Sequence, residues 1–281
     1  MSRTLHDEFA KDWMKEFLAD FGSVETEFEI SGEVRSVDVH FVPNPELLPA
    51  PIGYLGSMIT KPCLIEPFRN AVPGMAICNC RSKSTILGHK LVSQAQLEKR
   101  RFRFDDRPFL WIISPTLSKR MQKKYCMHSR TEWGEGIYFL PEGDQAAVIA
   151  VHQLPETPES LWLRLLGRDN VQKRAMAELV ALPKDYPYRE ISLRHIMVLQ
   201  KKLAVRHNLS RDLQEVAMTL AITYEQIEAE LLEKGELNGI RKIALALLRD
   251  GMPPEKVAQI TELPIDIVEG FANEQLPRLE D

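Results

Sequence analysis

Just past its midpoint the chain changes from strands that alternate with helices to helices alone, and this change restricts the folds open to it. Before the change, apolar runs at residues 109–114 and 146–154 predict strands, and residues 82–99 carry a helical pattern. Alternating strands and helices predict an α/β core over residues 1–155. No strand pattern follows, so residues 156–281 are predicted to form an all-helical C-terminal region.

The residue pattern over the first quarter of the chain predicts one helix followed by three strands. Leu5, Phe9, Trp13 and Phe17 recur every fourth residue and form an apolar stripe, which Gly22 is expected to terminate. The other predicted elements of the core are strands at 24–31 and 34–42 joined by a turn at Gly32, a loop over Pro43–Pro51, a strand at 63–68, a helix near 116–126 and a strand at 136–140.

The composition is typical of a globular, non-membrane protein. Of the 281 residues, 44% are hydrophobic, which is enough to build a buried core. No run of about 18 apolar residues predicts a membrane span, and the opening residues lack a secretory pattern. We therefore expect a cytoplasmic protein with reduced cysteines. The net charge of −4 argues against a uniformly basic surface but allows a local basic patch for nucleic acid.

The predicted strand at 34–42 carries an acid in its middle. Side chains alternate across a strand, so Val37, Val39 and Phe41 share one face, which is expected to be the core. Asp38 points the other way. A carboxylate opposite an apolar face either lines a cleft or is buried against a partner, because an unpaired buried charge is costly.

Glu66 repeats this arrangement in the apolar strand at 63–68. If the two strands are neighbours, Asp38 and Glu66 converge on one hard cation, and two carboxylates plus waters suit Mg²⁺. Such an ion activates water and stabilises charge on a phosphate under attack. The alternative is that each acid pairs with an arginine, for which Arg35 and Arg69 are the candidates.

Three segments resemble the recombination-promoting nuclease/transposase group of the PD-(D/E)XK superfamily, which has many bacterial members. They are HDEFAKDWMKEFL (residues 6–18), the strand pair EVRSVDVHF and CLIEPFRN, and the tail at 230–271. The resemblance implies a restriction-endonuclease-like fold, with a mixed sheet flanked by helices, and Mg²⁺-dependent hydrolysis of DNA phosphodiesters. It also implies that Asp38 and Glu66 bind the metal, and that Glu8 or Glu16 supplies the further acid present in many members.

One position departs from the group's motif, which has lysine or glutamine two residues after the glutamate. Phe68 stands there and can neither orient water nor stabilise an oxyanion. Lys83, on the following helix, and His40, on the Asp38 side of its strand, are the candidate substitutes. Two functions follow from the resemblance: a DNA endonuclease, or a catalytically degenerate nuclease fold that binds a protein or nucleic-acid partner, or itself, through its C-terminal helices.

Two basic clusters are candidates for contacting the phosphates of DNA, although each is also consistent with an ordinary solvated surface. The clusters are Lys99, Arg100, Arg101 and Arg103, and Lys119, Arg120, Lys123 and Lys124.

Two further patterns favour structural explanations. Cys78-Asn79-Cys80 with Cys126 and His128 suggests zinc, but the first spacing is tighter than usual and the second pair lies far along the chain, so buried thiols are the default explanation. The short helices at 240–271 resemble a helix-turn-helix, yet the last one carries acids that repel phosphate. We therefore expect packing or protein contacts there.

Overall fold

The computed structural model describes residues 5–30, 35–44, 46–47, 52–204 and 239–275. The chain divides into two compact units, Met1–Ala221 and Ile222–Asp281. Within the described ranges, no helix is long and apolar enough to cross a membrane. The predicted turn at Gly32 and much of the predicted loop at Pro43–Pro51 lie outside them.

The first unit is built on a six-stranded mixed sheet. Its strands are β1 (Gly22–Ile30), β2 (Arg35–Pro43), β3 (Cys63–Pro67), β4 (Phe109–Ser114), β5 (Ile137–Phe139) and β6 (Ala146–Ala150). They lie in the order β1-β2-β3-β4-β6-β5, in which β3, β4 and β6 run parallel and the other neighbours are antiparallel. Each predicted strand is confirmed, although β6 ends four residues earlier than its apolar run because a 3₁₀ turn follows.

Helices connect and cover these strands. They are α1 (Leu5–Leu18), α2 (Gly53–Met58), α3 (Gly74–Leu97), α4 (Lys119–Lys124), α5 (Leu161–Arg164), α6 (Asp169–Ala181) and α7 (Arg189–Ala204). The sequence pattern missed α2 and placed the start of α3 two turns late, because only Ile77 and Cys80 are buried in the first turns of α3. Gly22 is extended and begins β1 rather than capping α1.

Both faces of the sheet are covered, which explains why strands β4 and β6 are almost entirely apolar. Leu110 and Ile112 of β4 pack against α3 in one core cluster. Trp111 points from the opposite face, and its Nε1 donates a hydrogen bond to the Met58 carbonyl of α2 at 3.2 Å. The run FLWIIS therefore forms a strand with no solvent-facing side, as its lack of alternation predicts.

Helices α5 to α7, which follow residue 155, belong to the core of the first unit. Trp13 of α1 is fully buried and donates through Nε1 to Ser192 Oγ of α7 at 3.0 Å. The Phe17 ring lies 5.0 Å from Trp162 and 4.7 Å from Tyr188. The predicted division at residue 155 therefore marks a change of secondary structure inside one compact unit, and the units themselves divide after Ala221.

The second unit is helical throughout its described part. Helix α8 covers 239–249 there, followed by α9 (Pro254–Thr261) and α10 (Ile265–Gln275). Ala244, Val257 and Val268, one from each helix, form its buried centre. The helical patterns read from the sequence in this segment are confirmed.

Candidate active site

Asp38 and Glu66 lie side by side where strands β2 and β3 separate. Val39 pairs with Ile65 at the end of the ladder, so the next position places Asp38 opposite Glu66 on the same face. This point is the carboxyl end of β3, and β3 is parallel to β4 and β6. Ligands of open α/β sheets commonly bind outside the carboxyl ends of such strands. The two predicted acids therefore meet at the edge of the sheet that suits a ligand.

Glu66 is a buried carboxyl group, only 3% exposed. Its burial and the negative charge of Asp38 raise the pKa of Glu66 from 4.5 to about 7, although the positive charge of Lys83 acts in the opposite direction. A side-chain hydrogen bond links Glu66 with Asp38, and it favours the protonated form of Glu66. Two carboxylates this close repel each other unless a proton or a cation is shared between them.

Lys83 supplies one cation to this pair of acids. Its Nζ lies 2.8 Å from Glu66 Oε1, and its side chain is largely buried. Helix α3 begins shortly after β3 ends, so its third turn passes over the carboxyl end of the strand. Cys80, one turn earlier, lies beneath the site, where burial and then the charge of Glu66 raise the pKa of its thiol to about 12.

Lys11 of α1 supplies a second cation, which the sequence reasoning missed. Its Nζ lies 2.5 Å from Asp38 Oδ1 and 3.6 Å from Glu27 Oε1. A signal was present, because Lys11 precedes Met14 and Leu18 at helical spacing and both of these residues are fully buried. A lysine on a buried stripe needs an acidic partner.

Glu27 extends the acidic row onto a third strand. Its neighbours Thr26 and Phe28 pair with Val39 and Val37, which places Glu27 opposite Asp38. Glu27 has a φ of 58°, a left-handed conformation that is uncommon for a residue with a side chain. The row of acids across β1, β2 and β3 becomes more buried towards Glu66, whose side chain is the least exposed of the three.

The other predicted substitute for the motif lysine is His40, which has different neighbours. His40 stands opposite Leu64, and its ring lies 4.6 Å from the Phe28 ring. Burial lowers the pKa of His40, with Glu25 opposing, so the imidazole is neutral near pH 7. Phe68 packs against the core cluster beneath α3. Among the candidates for this role, Lys83 is the one that contacts Glu66.

The predicted extra acid of α1 was either Glu8 or Glu16. Glu16 faces α7, where its two oxygens lie 3.0 Å from Arg194 Nη1 and 2.6 Å from His195 Nε2. It is therefore part of the packing between α1 and α7. Glu8 is partly buried one turn before Lys11, on the helix that carries the cation of Asp38. The cations that pair with Asp38 and Glu66 are lysines rather than the arginines suggested by the sequence.

The two basic clusters lie at opposite edges of the sheet. Helix α4, with Lys119, Arg120, Lys123 and Lys124 all exposed, follows the carboxyl end of β4 and therefore shares the edge of the acids. Tyr125, directly after α4, donates to the Gly74 carbonyl at the start of α3 at 2.8 Å. The other cluster follows the far end of α3, about 20 Å along the helix axis from Lys83, and precedes the amino end of β4. It consists of Lys99, Arg100, Arg101 and Arg103.

The donor set of the acidic pair suits a hard cation. Two adjacent carboxylates repel each other, and together they offer the oxygen ligands that Mg²⁺ prefers. Water molecules would complete the coordination shell of the ion. In the ranges that the structure covers, no group of three or more His, Cys, Asp or Glu side chains is arranged to hold a metal.

Cys78 is exposed and contacts the Tyr125 hydroxyl, whereas Cys80 is buried, so the two thiols lie on different sides of α3.

Comparison with known proteins identifies no relative: no family model, no curated protein and no solved structure matches this chain.

Proposed function

We propose that this protein is a Mg²⁺-dependent DNA endonuclease with a restriction-endonuclease-like core, related to the recombination-promoting nuclease/transposase group. The observation that carries the proposal is the cluster of Asp38, Glu66 and Lys83. Two carboxylates from neighbouring strands and a lysine from the next helix meet at the carboxyl edge of the sheet. This is the minimum set of side chains that the motif requires, with the lysine displaced from the position of Phe68 to α3.

Each residue has a defined role in this proposal. The carboxylates of Asp38 and Glu66 hold the cation, which when bound activates a water and stabilises charge on the scissile phosphate. The Lys83 ammonium favours the ionised form of Glu66 and steadies the charge that develops on the phosphate. The exposed cations of α4 bind the DNA backbone at the same edge, without reading its sequence. Glu8 is the remaining candidate for a further acid.

The experiment is a nicking assay on supercoiled DNA with Mg²⁺. We expect Asp38→Asn and Glu66→Gln each to lower the rate by about 100-fold or more, because each removes a charged ligand of the cation. Glu16→Gln is the matched control, since this acid belongs to the packing between α1 and α7, and it is expected to cleave like the unmodified protein. Unchanged nicking in Asp38→Asn or Glu66→Gln contradicts the proposal.

A second function, a nuclease-derived scaffold that binds a partner through its helical second unit, has one observation in its favour. Both acids already have a lysine partner, Lys11 for Asp38 and Lys83 for Glu66, so neither carboxylate lacks a cation in the absence of metal. Titration calorimetry with Mg²⁺ and with Mn²⁺ separates the two functions. Binding that is lost in Glu66→Gln supports the endonuclease, and a protein that binds neither ion supports the scaffold.

A further inference from the structure

A pocket of about 210 Å³ opens at the opposite edge of the sheet from the acids. The amino ends of β4 and β6, at Phe109 and Ala146, form part of its wall, together with Phe139 at the end of β5. Three cationic side chains, Lys61, Arg107 and Arg130, line it, along with the acids Asp105 and Glu142. We refer to this cavity as the amino-edge pocket.

Two of these cations have no acidic partner. Neither Lys61 nor Arg130 forms an ion pair with any residue in the described part of the chain, and Arg130 lies over the Phe139 ring at 4.1 Å. Arg107 is held in place, because it donates to the carbonyls of Phe104 at 3.2 Å and Gly143 at 3.1 Å. The pocket therefore carries three cations against two acids, and the excess of positive charge suits an anion.

A polar atom in the same pocket lacks a donor. Gln145 Nε2 donates to Asp105 Oδ1 at 3.1 Å, but the Gln145 Oε1 atom is buried and accepts no hydrogen bond from the residues that the structure covers. Buried acceptors are rarely left unpaired.

Residues 99–104, which lead into the pocket, carry further cations and an exposed aromatic ring along the surface. Arg103 lies two residues before Asp105, and the basic cluster that begins at Lys99 is exposed throughout. Phe104 is 56% exposed, and the Arg107 guanidinium lies over its ring at 3.8 Å. Exposed aromatic rings between cations bind single-stranded nucleic acid, because bases stack on the rings while phosphates meet the cations.

We infer that the amino-edge pocket binds single-stranded nucleic acid, with one phosphate between Lys61, Arg107 and Arg130 and a base stacked on Phe104. The cations of residues 99–103 follow the next phosphates. This inference does not rest on the proposed cleavage of DNA, since the pocket shares no residue with the acidic site.

Titration calorimetry of the full chain with 5′-phosphorylated tetrathymidylate tests the inference. EDTA is included so that cleavage plays no part, and the probe is too short to contact both edges at once. Lys61→Ala/Arg130→Ala is expected to weaken binding about tenfold, because two phosphate contacts are lost. The matched control is Lys15→Ala/Lys173→Ala, which removes the same charge at two exposed lysines that belong to neither site and is expected to stay within about twofold of the unmodified protein.

Two further comparisons identify the ligand class. Phe104→Ala is expected to weaken binding about fivefold or more, whereas Phe104→Trp keeps it, because stacking needs only an aromatic face. Thymidine monophosphate and inorganic phosphate are expected to bind more weakly than the tetranucleotide. Equal effects of the two double variants, no effect of Phe104→Ala, equal binding of inorganic phosphate, or no binding of the tetranucleotide at low salt overturns the inference.

Discussion

Glu66 makes the candidate site sensitive to pH near neutrality. Its pKa rises to about 7 chiefly because burial removes the carboxylate from water, and next because Asp38 lies beside it. The positive charge of Lys83 offsets only part of this rise in pKa. The side chain therefore exchanges a proton in the pH range in which a bound cation would compete for the same oxygens, so proton binding and cation binding are expected to oppose each other.

We expect this titration to affect stability with a definite sign. Glu66 ionises near 4.5 in the unfolded chain and near 7 in the folded protein, so the folded state binds more protons between these values. The free energy of unfolding therefore falls as pH rises through this window, by about 3 kcal/mol. Glu66→Gln cannot ionise, so its free energy of unfolding lacks this pH-dependent contribution. Urea unfolding of both proteins from pH 4.5 to 8 measures the difference, and a difference that does not change with pH contradicts the assignment.

Lys11 would compete for Asp38 with a cation bound at the proposed site. Its ammonium lies against the Asp38 carboxylate, so an incoming divalent ion must displace it. We expect Lys11→Met to raise the affinity for Mg²⁺ or Ca²⁺ by up to about fivefold, which corresponds to a partly exposed ion pair worth about 1 kcal/mol. Calorimetry measures this affinity. Lys15→Met, an exposed lysine on the same helix, is the control, and weaker cation binding in Lys11→Met would show that Lys11 supports the site instead.

The strands determine where the three acids lie. The pairing of β1 with β2 holds Glu27 opposite Asp38, at the more exposed end of the row of acids. Gly22 begins β1 opposite Pro43, and the β2 backbone passes so close that a Cβ at Gly22 would overlap the Val42 carbonyl oxygen. The backbone of Gly22 is extended, so glycine is needed here for space rather than for an unusual φ angle.

We expect Gly22→Ala to destabilise the first unit by about 1–3 kcal/mol, because the two strands must move apart to admit a methyl group. Urea unfolding measures this change. Gly143→Ala is the matched control, since a Cβ there meets no atom within 4 Å, and its stability is expected to be unchanged. Equal stability of the two variants would mean that the end of the β1–β2 ladder adapts to the methyl group without cost.

The whole chain consists of two compact units, and all residues of the candidate site belong to the first. The first unit combines the sheet with helices α1 to α7, so its core does not require the second. The buried centre found in the second unit consists of three small or medium apolar residues, one from each helix. A unit of this size has little apolar surface to bury, so most of the stability of the chain is expected to come from the first unit.

We expect a chain that ends at Ala221 to unfold cooperatively with the same urea midpoint as the full-length protein, because the buried sheet and its helices are intact. Circular dichroism during urea unfolding measures this, and the nicking assay shows whether the site is retained. Loss of cooperative unfolding in the shortened chain would contradict the division into units. The complementary fragment from Ile222 onwards tests whether the second unit folds alone.

Sequence patterns alone were sufficient for the features that depend on neighbours along the chain. The apolar runs of β4 and β6 predict buried strands, and alternation along β2 places Asp38 opposite its apolar neighbours. The restriction-endonuclease-like character and the catalytic roles remain proposals. Alternation determines which side of a strand a residue occupies, so the sequence alone indicates Asp38 and Glu66 as potential partners if their strands are adjacent.

Only the tertiary structure decided which residues from distant segments meet. Helix packing brings Lys11 to Asp38 and Lys83 to Glu66, and it sends Glu16 to α7 instead. Strand direction separates the two basic clusters, since one follows β4 and the other precedes it. Periodicity along one segment carries no information on the register, direction or packing angle of another, because these depend on how the complete core buries its apolar surface.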